Sequence, residues 1–397
     1  MKIKSIKNLS LKNKTVLLRV NFDVPIKNGK VVDDSRILAH LPTINFIIKA
    51  SAKLILISHL GRPNGVDKNY SLEPAYLYLK KRIKDLEFFK DKFDFELKNK
   101  IRDKKLVFLE NLRFNQGEEK NDNSFARFLA SLADIYINDA FSVCHRAHAS
   151  VAAITKYVPS YAGLLLEKEI KNLSEILTQP QKPFIVLMGG AKISTKLPVL
   201  KTLAKKVDKI LIGGALANDL LKAEGYEIGQ SLSEEKATKI TTLPKEKIVL
   251  PIDVVITTHN KQPTTNNLQR TTIKNLKIGE LNNLKNKDFK ILDIGEETVK
   301  LFAEYIKSAK IIVWNGPMGL FEEKPFDQGT IKLFKEILKN KKAKIVFGGG
   351  DTVASLNLKF KTLNLKSNVF VSTSGGAMLE FLSGKILPGL KPLINSK

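Results

Sequence analysis

Arginine and histidine residues recur where hydrophobic segments end in the first half of this 397-residue chain. The polar segments that follow these hydrophobic runs are RVNFDVP (19–25), SHLGRP (58–63), LENLRFN (109–115) and INDAFSVCHRAHAS (137–150). With the helix after the first segment, they bring cationic or titratable side chains to one sheet edge: Arg19, Arg36, His59, Arg62, Arg113, His145, Arg146 and His148. A surface salt bridge explains most single arginines, but not four loops that bring arginine to the same edge. Because planar guanidinium groups bind phosphate and carboxylate through paired hydrogen bonds, the pattern indicates a site for a small, multiply anionic molecule.

Glycine-rich turns take the place of arginine in the second half of the chain. They occur in LMGGAKISTK (187–196), LIGGALAND (211–219), FGGGDT (347–352) and STSGGA (372–377). Gly189 and Gly190 permit close backbone approach, and Lys192 and Lys196 lie one helical turn apart, where both can point at phosphate oxygens. Asp351 is a hard oxygen ligand for a Mg²⁺ that bridges phosphates. One such turn is often ordinary turn geometry, but four of them favour a phosphate cradle, although no Walker A, GxGxxG or HRD motif occurs.

Short apolar runs and amphipathic helices alternate around these motifs. The runs predict strands at 15–20, 53–58, 105–109, 135–139, 184–189, 209–213, 247–255, 310–314, 344–348 and 369–372. Helices are predicted at 35–50 and 297–310, and a further helix near 161–177 joins the two halves. Near-continuous Val, Ile and Leu runs suit parallel strands covered on both faces, and strands alternating with helices predict a doubly wound α/β fold. Ligands bind at the strand ends of such sheets, where almost every polar motif of this chain lies.

Length and composition favour two globular domains in a reducing compartment. A chain of 397 residues exceeds what one hydrophobic core usually serves. Cys144 is the single cysteine, so no internal disulfide is possible, and a cytoplasmic location is expected. The first residues contain no apolar segment of a secretory signal, and no apolar run approaches the roughly 18–20 residues that span a bilayer. The polar segment 258–272 is predicted to be an exposed loop.

The formal net charge of +26 raises the possibility of a nucleic-acid partner. However, the lysines are scattered over helix ends and loops without interleaved aromatic residues, and Lys, Asn and Ile are abundant together. A composition bias therefore explains the charge better than a functional basic surface. A protein that keeps this fold but binds nucleic acid or an acidic partner remains the alternative hypothesis.

These motifs, taken in order, resemble the phosphoglycerate kinase family over almost the whole chain. The matching blocks are RVNFDVP, SHLGRP, ENLRF, NDAF with HRAHAS, AGLLLEKE, GGAKISTK, WNGPMG (314–319), GGGDT and LSGKILPGLKP (382–392). The resemblance implies two Rossmann-like, doubly wound parallel-sheet domains facing a cleft. Residues 1–165 and 381–397 would form the domain that binds 3-phosphoglycerate, and residues 166–380 the nucleotide-binding domain. It also implies reversible, Mg²⁺-dependent phosphoryl transfer between ATP and the carboxylate of 3-phosphoglycerate, with hinge closure, in a cytoplasmic monomer.

The resemblance also assigns site residues. Those expected to bind 3-phosphoglycerate are Asn21, Phe22, Asp23, Arg36, His59, Leu60, Gly61, Arg62, Arg113 and Arg146. Those expected on the nucleotide side are Gly189, Lys192, Lys196, Gly213, Ile291, Asn315, Pro317, Glu322, Gly349, Gly350, Asp351 and Thr352. Glu322 would accept hydrogen bonds from the ribose, and Asp351 would hold the metal.

The chemistry of this reaction agrees with the residue types. The nucleophile is the substrate's own carboxylate, which is already deprotonated, so no general base is needed. Catalysis then rests on in-line positioning and on neutralising the charge of the transferring phosphoryl group, for which Arg36, Lys192 and Lys196 are the candidates.

Several positions depart from the family pattern. Asn21 and Asp23 exchange the usual Asp and Asn, and we expect both on one face of a strand, where the two groups could trade partners or weaken substrate binding. Ala215 replaces a glycine. Ile291 stands where a glycine normally faces the adenine, so a tighter or shifted base pocket and a changed base preference are open alternatives. Asn115 replaces a histidine, and Cys144 is expected to be a small packing residue.

Overall fold

A computed structural model describes residues 1–178, 180–191, 193–234, 243–259, 271–285, 287–356 and 367–395. The chain divides into two compact units: unit 1 comprises Met1–Ser174 with Lys385–Lys397, and unit 2 comprises Glu175–Gly384. The division falls inside the helix that joins the two halves. Within the described residues, no helix is both long and apolar enough to cross a membrane.

Unit 1 is built on a six-stranded, all-parallel sheet with the order β5-β6-β4-β1-β7-β8. Its strands are β1 (Thr15–Arg19), β4 (Lys53–Ile57), β5 (Glu87–Phe89), β6 (Leu106–Leu109), β7 (Ile135–Asn138) and β8 (Ser160–Ala162), and β2 (Ile26–Lys27) pairs with β3 (Lys30–Val31) in a hairpin. Its helices are α1 (Ser35–Lys49), α2 (Glu73–Lys80), α3 (Phe95–Lys100), α4 (Asn123–Ala130) and α5 (Leu164–Thr178). Short 3₁₀ turns occur at Ile6–Asn8, Lys68–Tyr70, Leu112–Phe114, Phe141–Val143, Ala153–Lys156 and Lys391–Leu393.

Helices cover both faces of this sheet, which explains why its strands are apolar at nearly every position. In β1, Val16 and Leu18 belong to one hydrophobic cluster, whereas the intervening Leu17 belongs to another. Because successive side chains of a strand point to opposite faces, a strand buried on both sides loses the alternation of a half-exposed one. The predicted parallel α/β fold is confirmed.

Unit 2 contains a second six-stranded parallel sheet, with the order β11-β10-β9-β15-β16-β17, and a three-stranded antiparallel sheet, β13-β12-β14. Its strands are β9 (Phe184–Met188), β10 (Lys209–Ile212), β11 (Ile248–Val249), β12 (Asp253–His259), β13 (Thr271–Lys277), β14 (Phe289–Ile294), β15 (Ile311–Asn315), β16 (Lys344–Gly348) and β17 (Val369–Ser372). Its helices are α6 (Ile193–Leu203), α7 (Ala215–Ala223), α8 (Glu296–Ser308), α9 (Gln328–Lys339), α10 (Gly350–Ser355) and α11 (Gly376–Leu382), with 3₁₀ turns at Lys245–Lys247 and Ile278–Asn283.

One predicted strand, at 247–255, is wrong. The segment contains all of β11 in the parallel sheet and the start of β12 in the antiparallel sheet, and Pro251 lies between the two strands. Proline has no N–H for the ladder, so an apolar run that contains it tends to break there. Most of the loop predicted at 258–272 lies outside the described residues, and its two ends belong to β12 and β13.

The last residues of the chain belong to unit 1. Ile394 bridges Ile3 in antiparallel fashion, and the N–H of Lys4 donates to the carbonyl of Leu393 at 2.8 Å. Gly389 packs so closely on Cys144 that a Cβ there would lie 3.0 Å from the cysteine Cα. Burial raises the pKa of the Cys144 thiol to about 12. The thiol is therefore a packing group, as expected from the sequence.

Asp253 ties the antiparallel sheet of unit 2 to the first turn of α8. It is buried, and its carboxylate accepts hydrogen bonds from the N–H and hydroxyl of Thr298 at 2.7 and 2.6 Å, from the N–H of Glu297 at 3.0 Å and from the Nδ2 of Asn275 at 2.9 Å. Burial alone would raise the pKa of Asp253, but these hydrogen bonds lower it below its usual value. The carboxylate therefore stabilises the folded state above its unfolded pKa, and this contribution is lost as the pH falls through the folded pKa.

We expect Asp253→Ala to lower the free energy of unfolding by about 2–4 kcal/mol, because it leaves several buried donors without an acceptor. Urea denaturation followed by circular dichroism measures the change. Asp85→Ala removes an exposed carboxylate and should change stability by less than about 0.5 kcal/mol. Equal losses in the two variants would show that the Asp253 contacts do not stabilise the fold.

Candidate active site

The basic motifs of unit 1 meet at the carboxyl-terminal edge of its parallel sheet. Arg19, the last residue of β1, is in register with Ile57 at the end of β4 and with Asn138 at the end of β7. The loops that follow these strands therefore begin at the same level. In this way the fold gathers Asp23, Arg36, His59 and the surrounding basic residues from segments far apart in the sequence.

A chain of contacts joins four of the expected substrate residues. The guanidinium of Arg36, in the first turn of α1, donates to the carbonyl of Asp23 and lies 3.7 Å from its carboxylate. That carboxylate accepts a hydrogen bond from the N–H of Gly61 at 2.9 Å, and the carbonyl of Gly61 accepts one from Arg113. Gly61 has a φ of +59°, and a Cβ there would overlap the ring of Tyr70, so only glycine suits this position.

Arg19 lies beneath this edge and determines the tautomer of His59. Arg19 is completely buried; its Nε donates to the hydroxyl of Ser150 at 2.9 Å, and its Nη2 lies 3.1 Å from the Nδ1 of His59. Since a guanidinium can only donate, the Nδ1 of His59 accepts and the proton resides on Nε2. Burial and the nearby arginines, Arg19 first among them, lower the pKa of His59 well below its usual value. His59 is thus a neutral hydrogen-bond donor.

Glu118 provides the negative charge for this buried cluster, although its sequence context did not point to it. Its fully buried carboxylate accepts hydrogen bonds from the N–H of Ser150 at 2.9 Å and from its hydroxyl at 2.6 Å, and lies 3.9 Å from Arg19. His148 lies 3.8 Å from the same carboxylate, but burial and the arginines Arg113 and Arg19 lower its pKa to about 3. The signal available in the sequence was the pair Glu118 and Glu119, separated from the LRFN motif by two residues.

The other expected residues of unit 1 differ in exposure. Arg62 is exposed, and Arg146 is half-buried with its Nε 3.3 Å from the Nε2 of His145. The side chain of Phe22 lies in the hydrophobic core, so only its backbone is available to a ligand. Leu60 is buried, and its carbonyl accepts from the Nδ2 of Asn111 at 2.8 Å.

Asn21 and Asp23 do not share a strand face, so that expectation is wrong. β1 ends at Arg19, and both residues lie in the loop that follows. The Oδ1 of Asn21 accepts from the N–H of Asp23 at 3.1 Å, a local turn that short polar side chains favour over an extended strand. The amide of Asn21 therefore shapes the loop, while the carboxylate of Asp23 contacts Gly61 and Arg36.

Backbone contacts between glycine turns form the corresponding edge of unit 2. The N–H of Gly189 donates to the carbonyl of Asn315 at 2.9 Å, and the N–H of Gly190 donates to that of Pro317 at 3.0 Å. A Cβ on Gly189 would lie 1.9 Å from the oxygen of Pro317, which excludes every other residue without a backbone shift. The turn of Gly213 packs in the same way on Met318.

Lys196 is the cation of this edge. It lies in α6, and its ammonium group donates to the carbonyl of Gly189. Burial lowers the pKa of Lys196 to about 8, and the attraction of Asp351 opposes that shift. Lys192, its expected companion, lies outside the described residues.

The FGGGDT motif forms the turn between β16 and α10. Gly349 has a φ of +101°, and the Nδ2 of Asn315 donates to the carbonyl of Gly348 at 2.6 Å. The hydroxyl of the buried Thr352 donates to Gly348 at 2.7 Å and accepts from the N–H of Gly316 at 2.7 Å. Asn315 and Thr352 therefore hold the turn, while Gly350 and Asp351 begin the helix.

A cavity of about 450 Å³ opens beside these turns. Its lining includes Gly190, Gly214, Ala215, Asn218, Val254, Ile291, Pro317, Glu322 and Asp351. The cavity joins an apolar wall to an edge of glycine turns and carboxylates, an arrangement suited to a base, a sugar and phosphates. Glu322 is exposed at this cavity, so its carboxylate is accessible to a ligand there.

Asp351 is the residue that fits Mg²⁺. Its carboxylate is exposed, and among the described residues no cluster of three or more His, Cys, Asp or Glu side chains could enclose a metal ion. A single carboxylate suits Mg²⁺, which typically keeps several waters and takes its other ligands from substrate phosphates.

Two polar residues of this cavity did not stand out in the sequence. Asn218 follows a glycine turn within α7, and Asp293 ends the KILD segment of β14. Burial raises the pKa of Asp293 to about 7, although its carboxylate accepts hydrogen bonds from the N–H of Gly329 at 2.7 Å and of Ile294 at 2.9 Å. Neither residue belongs to a cluster of charged residues or to a glycine-rich turn. Those were the two patterns that indicated the other candidate site residues.

Basic residues follow the strand ends of one parallel α/β unit, and glycine-rich turns follow the strand ends of the other. Together these features define a two-domain kinase. The sequence model of phosphoglycerate kinase matches residues 6–385, and the chain belongs to that family. Relatives include the phosphoglycerate kinases of Dictyoglomus turgidum, 43% identical over 98% of both chains, and of Pseudothermotoga lettingae, 44% identical over the full length of both.

Solved structures agree with this family. The phosphoglycerate kinase structure from Coxiella burnetii is 37% identical and covers 99% of both chains with a TM-score of 0.76. That from Pyrococcus horikoshii is 31% identical and covers 98% of both with a TM-score of 0.83. The chain is therefore a phosphotransferase with a carboxyl acceptor, which uses Mg²⁺ with ATP or ADP.

The neutral state of His59 can be tested by NMR. We expect its Cε1 proton shift to stay constant from pH 5 to pH 8, because the pKa lies well below 6.5 and the ring remains neutral. Carbon–proton correlation spectra follow the shift, and His59→Gln assigns the resonance. A titration midpoint near pH 6.5 would contradict the buried, Arg19-bonded ring.

The pKa of Lys196 predicts a pH-dependent affinity for nucleotide. Below about pH 8 the ammonium is charged and attracts phosphates, and above it the amine becomes neutral, so the Kd for ADP should rise between pH 7 and pH 9. Calorimetry in buffers of different ionisation enthalpy should also detect proton uptake on binding near pH 8. In Lys196→Arg, which stays charged, both effects should disappear; their persistence would assign them to another group.

Proposed function

We propose that unit 1 binds 3-phosphoglycerate at its basic edge and that unit 2 binds the nucleotide in the cavity beside its glycine turns. The observation that carries this assignment is the contact chain of Arg36, Asp23, Gly61 and Arg113 above the buried Arg19. Three separate loops and a helix start contribute cations to one edge, and a dianionic phosphate with a carboxylate matches that charge.

On unit 1, the roles follow from geometry and exposure. Arg62, Arg113 and Arg146 supply guanidinium groups for the anionic substrate, and neutral His59 donates one hydrogen bond from Nε2. Asp23 lies 3.7 Å from Arg36 and competes with the substrate for it. A carboxylate at position 23 therefore weakens the attraction between Arg36 and an anionic substrate. A neutral amide at the same position would not have this effect.

On unit 2, the glycine turns and Lys196 hold the phosphates, and Glu322 accepts hydrogen bonds from the ribose. Gly190 and Gly214 line the cavity beside Asp351, so the backbone approaches the phosphates without side-chain interference. Asp351 would hold the Mg²⁺, which when bound neutralises phosphate charge and orients the transferring group. Lys192 is assigned to the same phosphates by its place in the GGAKISTK motif.

The reaction forms a bond between a carboxylate oxygen of 3-phosphoglycerate and the γ-phosphorus of ATP, and breaks the bond from that phosphorus to the β–γ bridging oxygen. The products are 1,3-bisphosphoglycerate and ADP. The attacking carboxylate carries no proton that would have to be removed. His59 is neutral and its Nε2 already carries a proton, so this nitrogen cannot act as a base. Arg36 and Lys196, with Lys192, compensate the charge on the transferring oxygens.

We also propose that the protein acts as a cytoplasmic monomer without a specific nucleic-acid partner. The buried thiol of Cys144 forms no disulfide, and the compositional origin of the +26 charge requires no polyanionic partner. Nucleic-acid binding that persists at physiological salt would favour the alternative hypothesis instead.

A coupled assay with ATP, Mg²⁺ and 3-phosphoglycerate tests this function, and Arg36→Ala tests its mechanism. Wild-type protein should turn over, and the variant should lose about 10²-fold or more in kcat, because a preorganised cation is removed from the developing charge. Its stability should change little, since the half-exposed pair with Asp23 contributes little to folding.

Arg102→Ala is the matched control, because that exposed arginine lies outside the edge and should leave kcat unchanged. Well-folded wild-type protein without turnover would overturn the function. Wild-type kcat in Arg36→Ala would remove Arg36 from the mechanism.

A further inference from the structure

A buried histidine, His40, holds the backbone of the loop that follows β1. It lies in α1, is only 2% exposed, and its Nε2 lies 3.0 Å from the backbone nitrogen of Asn21. Because a backbone N–H can only donate, this ring nitrogen accepts and carries no proton. The ring also meets that of Phe22 edge to face, with 5.8 Å between the ring centroids. His40 therefore contacts two successive residues of the loop.

The carboxylate of Asp139 fixes the other side of the His40 ring. Since Nε2 accepts, Nδ1 carries the ring proton, and it donates to Asp139 at 2.8 Å. The second oxygen of this buried carboxylate accepts from the N–H groups of Leu165 and Leu166, at 2.9 and 3.2 Å, in the first turn of α5. Both ring nitrogens thus have partners, which determine the tautomer and the orientation of His40.

The loop that His40 holds is also the loop that contacts Arg36. The Oδ1 of Asn21 accepts from the N–H of Asp23, whose carbonyl accepts from Arg36 and whose carboxylate lies 3.7 Å from the same guanidinium. A shift of the Asn21 backbone would therefore reach Arg36 through Asp23. Phosphoryl transfer depends on in-line positioning, so a small displacement of this cation is costly.

We propose that His40 is a positioning residue of the reaction: by accepting the N–H of Asn21, it sets the position of Asp23 and, through it, of Arg36. Without an acceptor at the position of Nε2, a buried N–H would lose its partner and the loop would shift to find another. The inference rests on the proposed binding of 3-phosphoglycerate to unit 1. It adds a residue that acts through the loop rather than by contact with the substrate.

Two substitutions of His40 separate its two hydrogen bonds. Asparagine places its amide near the position of Nδ1, and glutamine places its amide near that of Nε2. We expect His40→Asn, which can still donate to Asp139 but leaves the N–H of Asn21 unpaired, to lower kcat/KM for 3-phosphoglycerate about tenfold. His40→Gln restores an acceptor for that N–H and should stay within about threefold of the wild-type value. The Kd for ADP, which binds to unit 2 in the proposed function, should not change in either variant.

Thr43→Val is the matched control. Thr43 is buried in the same helix, and its hydroxyl accepts from the N–H of Leu164 at 3.1 Å, at the start of α5 instead of the loop after β1. The variant should lower the thermal midpoint of unfolding and leave kcat/KM unchanged. Equal losses of kcat/KM in His40→Asn and His40→Gln would overturn the proposal, and so would wild-type kcat/KM in His40→Asn.

NMR tests the hydrogen bond itself without substrate, even if a variant fails to fold. In isotope-labelled wild-type protein, the backbone nitrogen of Asn21 should show a scalar coupling to the Nε2 of His40 across the hydrogen bond; a protonated Nε2 would overturn the proposal. Arg36→Ala separates this inference from the proposed function. If Arg36→Ala lowers kcat while His40→Asn leaves kcat/KM unchanged, only the role of His40 is wrong. If neither variant affects turnover, the proposed site on unit 1 is wrong as well.

Discussion

Parallel strand pairing is the constraint on which the candidate edge of each unit depends. Arg19 is in register with Ile57 and Asn138 in unit 1, and Asn315 is in register with Met188 and Gly348 in unit 2. In each sheet, the central strand and both its neighbours end at the same level. The loops after these three strands therefore start at the same level. Strand pairing alone thus brings residues more than 100 positions apart in the sequence to one edge of the sheet.

Burial then decides what the collected residues can do. Arg19 and Glu118 are both fully buried, and a charge without a partner is very costly there. Ser150 bonds to both, so the charges compensate each other inside the protein, and the Nη2 of Arg19 reaches His59. The same burial that makes the arginine rigid keeps the histidine neutral. Unit 1 thus offers fixed positive charge and a directed donor at His59, which suits a nucleophile that needs no base.

The sequence predicted the parts of this molecule that repeat or cluster, and missed those that depend on one contact. Continuous apolar runs predicted most strands of both parallel sheets, and clustered charges or glycines indicated most of the candidate site residues. Pro251 divided a run between two sheets, and two- and three-residue strands such as β8 carry too few residues for a pattern. Glu118 was missed because its importance lies in its contacts with Ser150 and Arg19, which follow only from tertiary packing. The exchanged pair Asn21 and Asp23 was misplaced because a side-chain turn overrode the strand.

The isoleucine at position 291 shows how an unusual residue can enter a site without filling it. Ile291 is only 9% exposed and packs with Val254, Ile256 and Phe289 in a hydrophobic cluster beneath the cavity. Its strand pairs with β12 through an irregularity: Val255 faces Asp293, whereas the next residue of β12, Ile256, faces Ile291. Such a bulge redirects side chains locally. The bulk of the isoleucine therefore enlarges the hydrophobic core beside the cavity, and a cavity of about 450 Å³ remains.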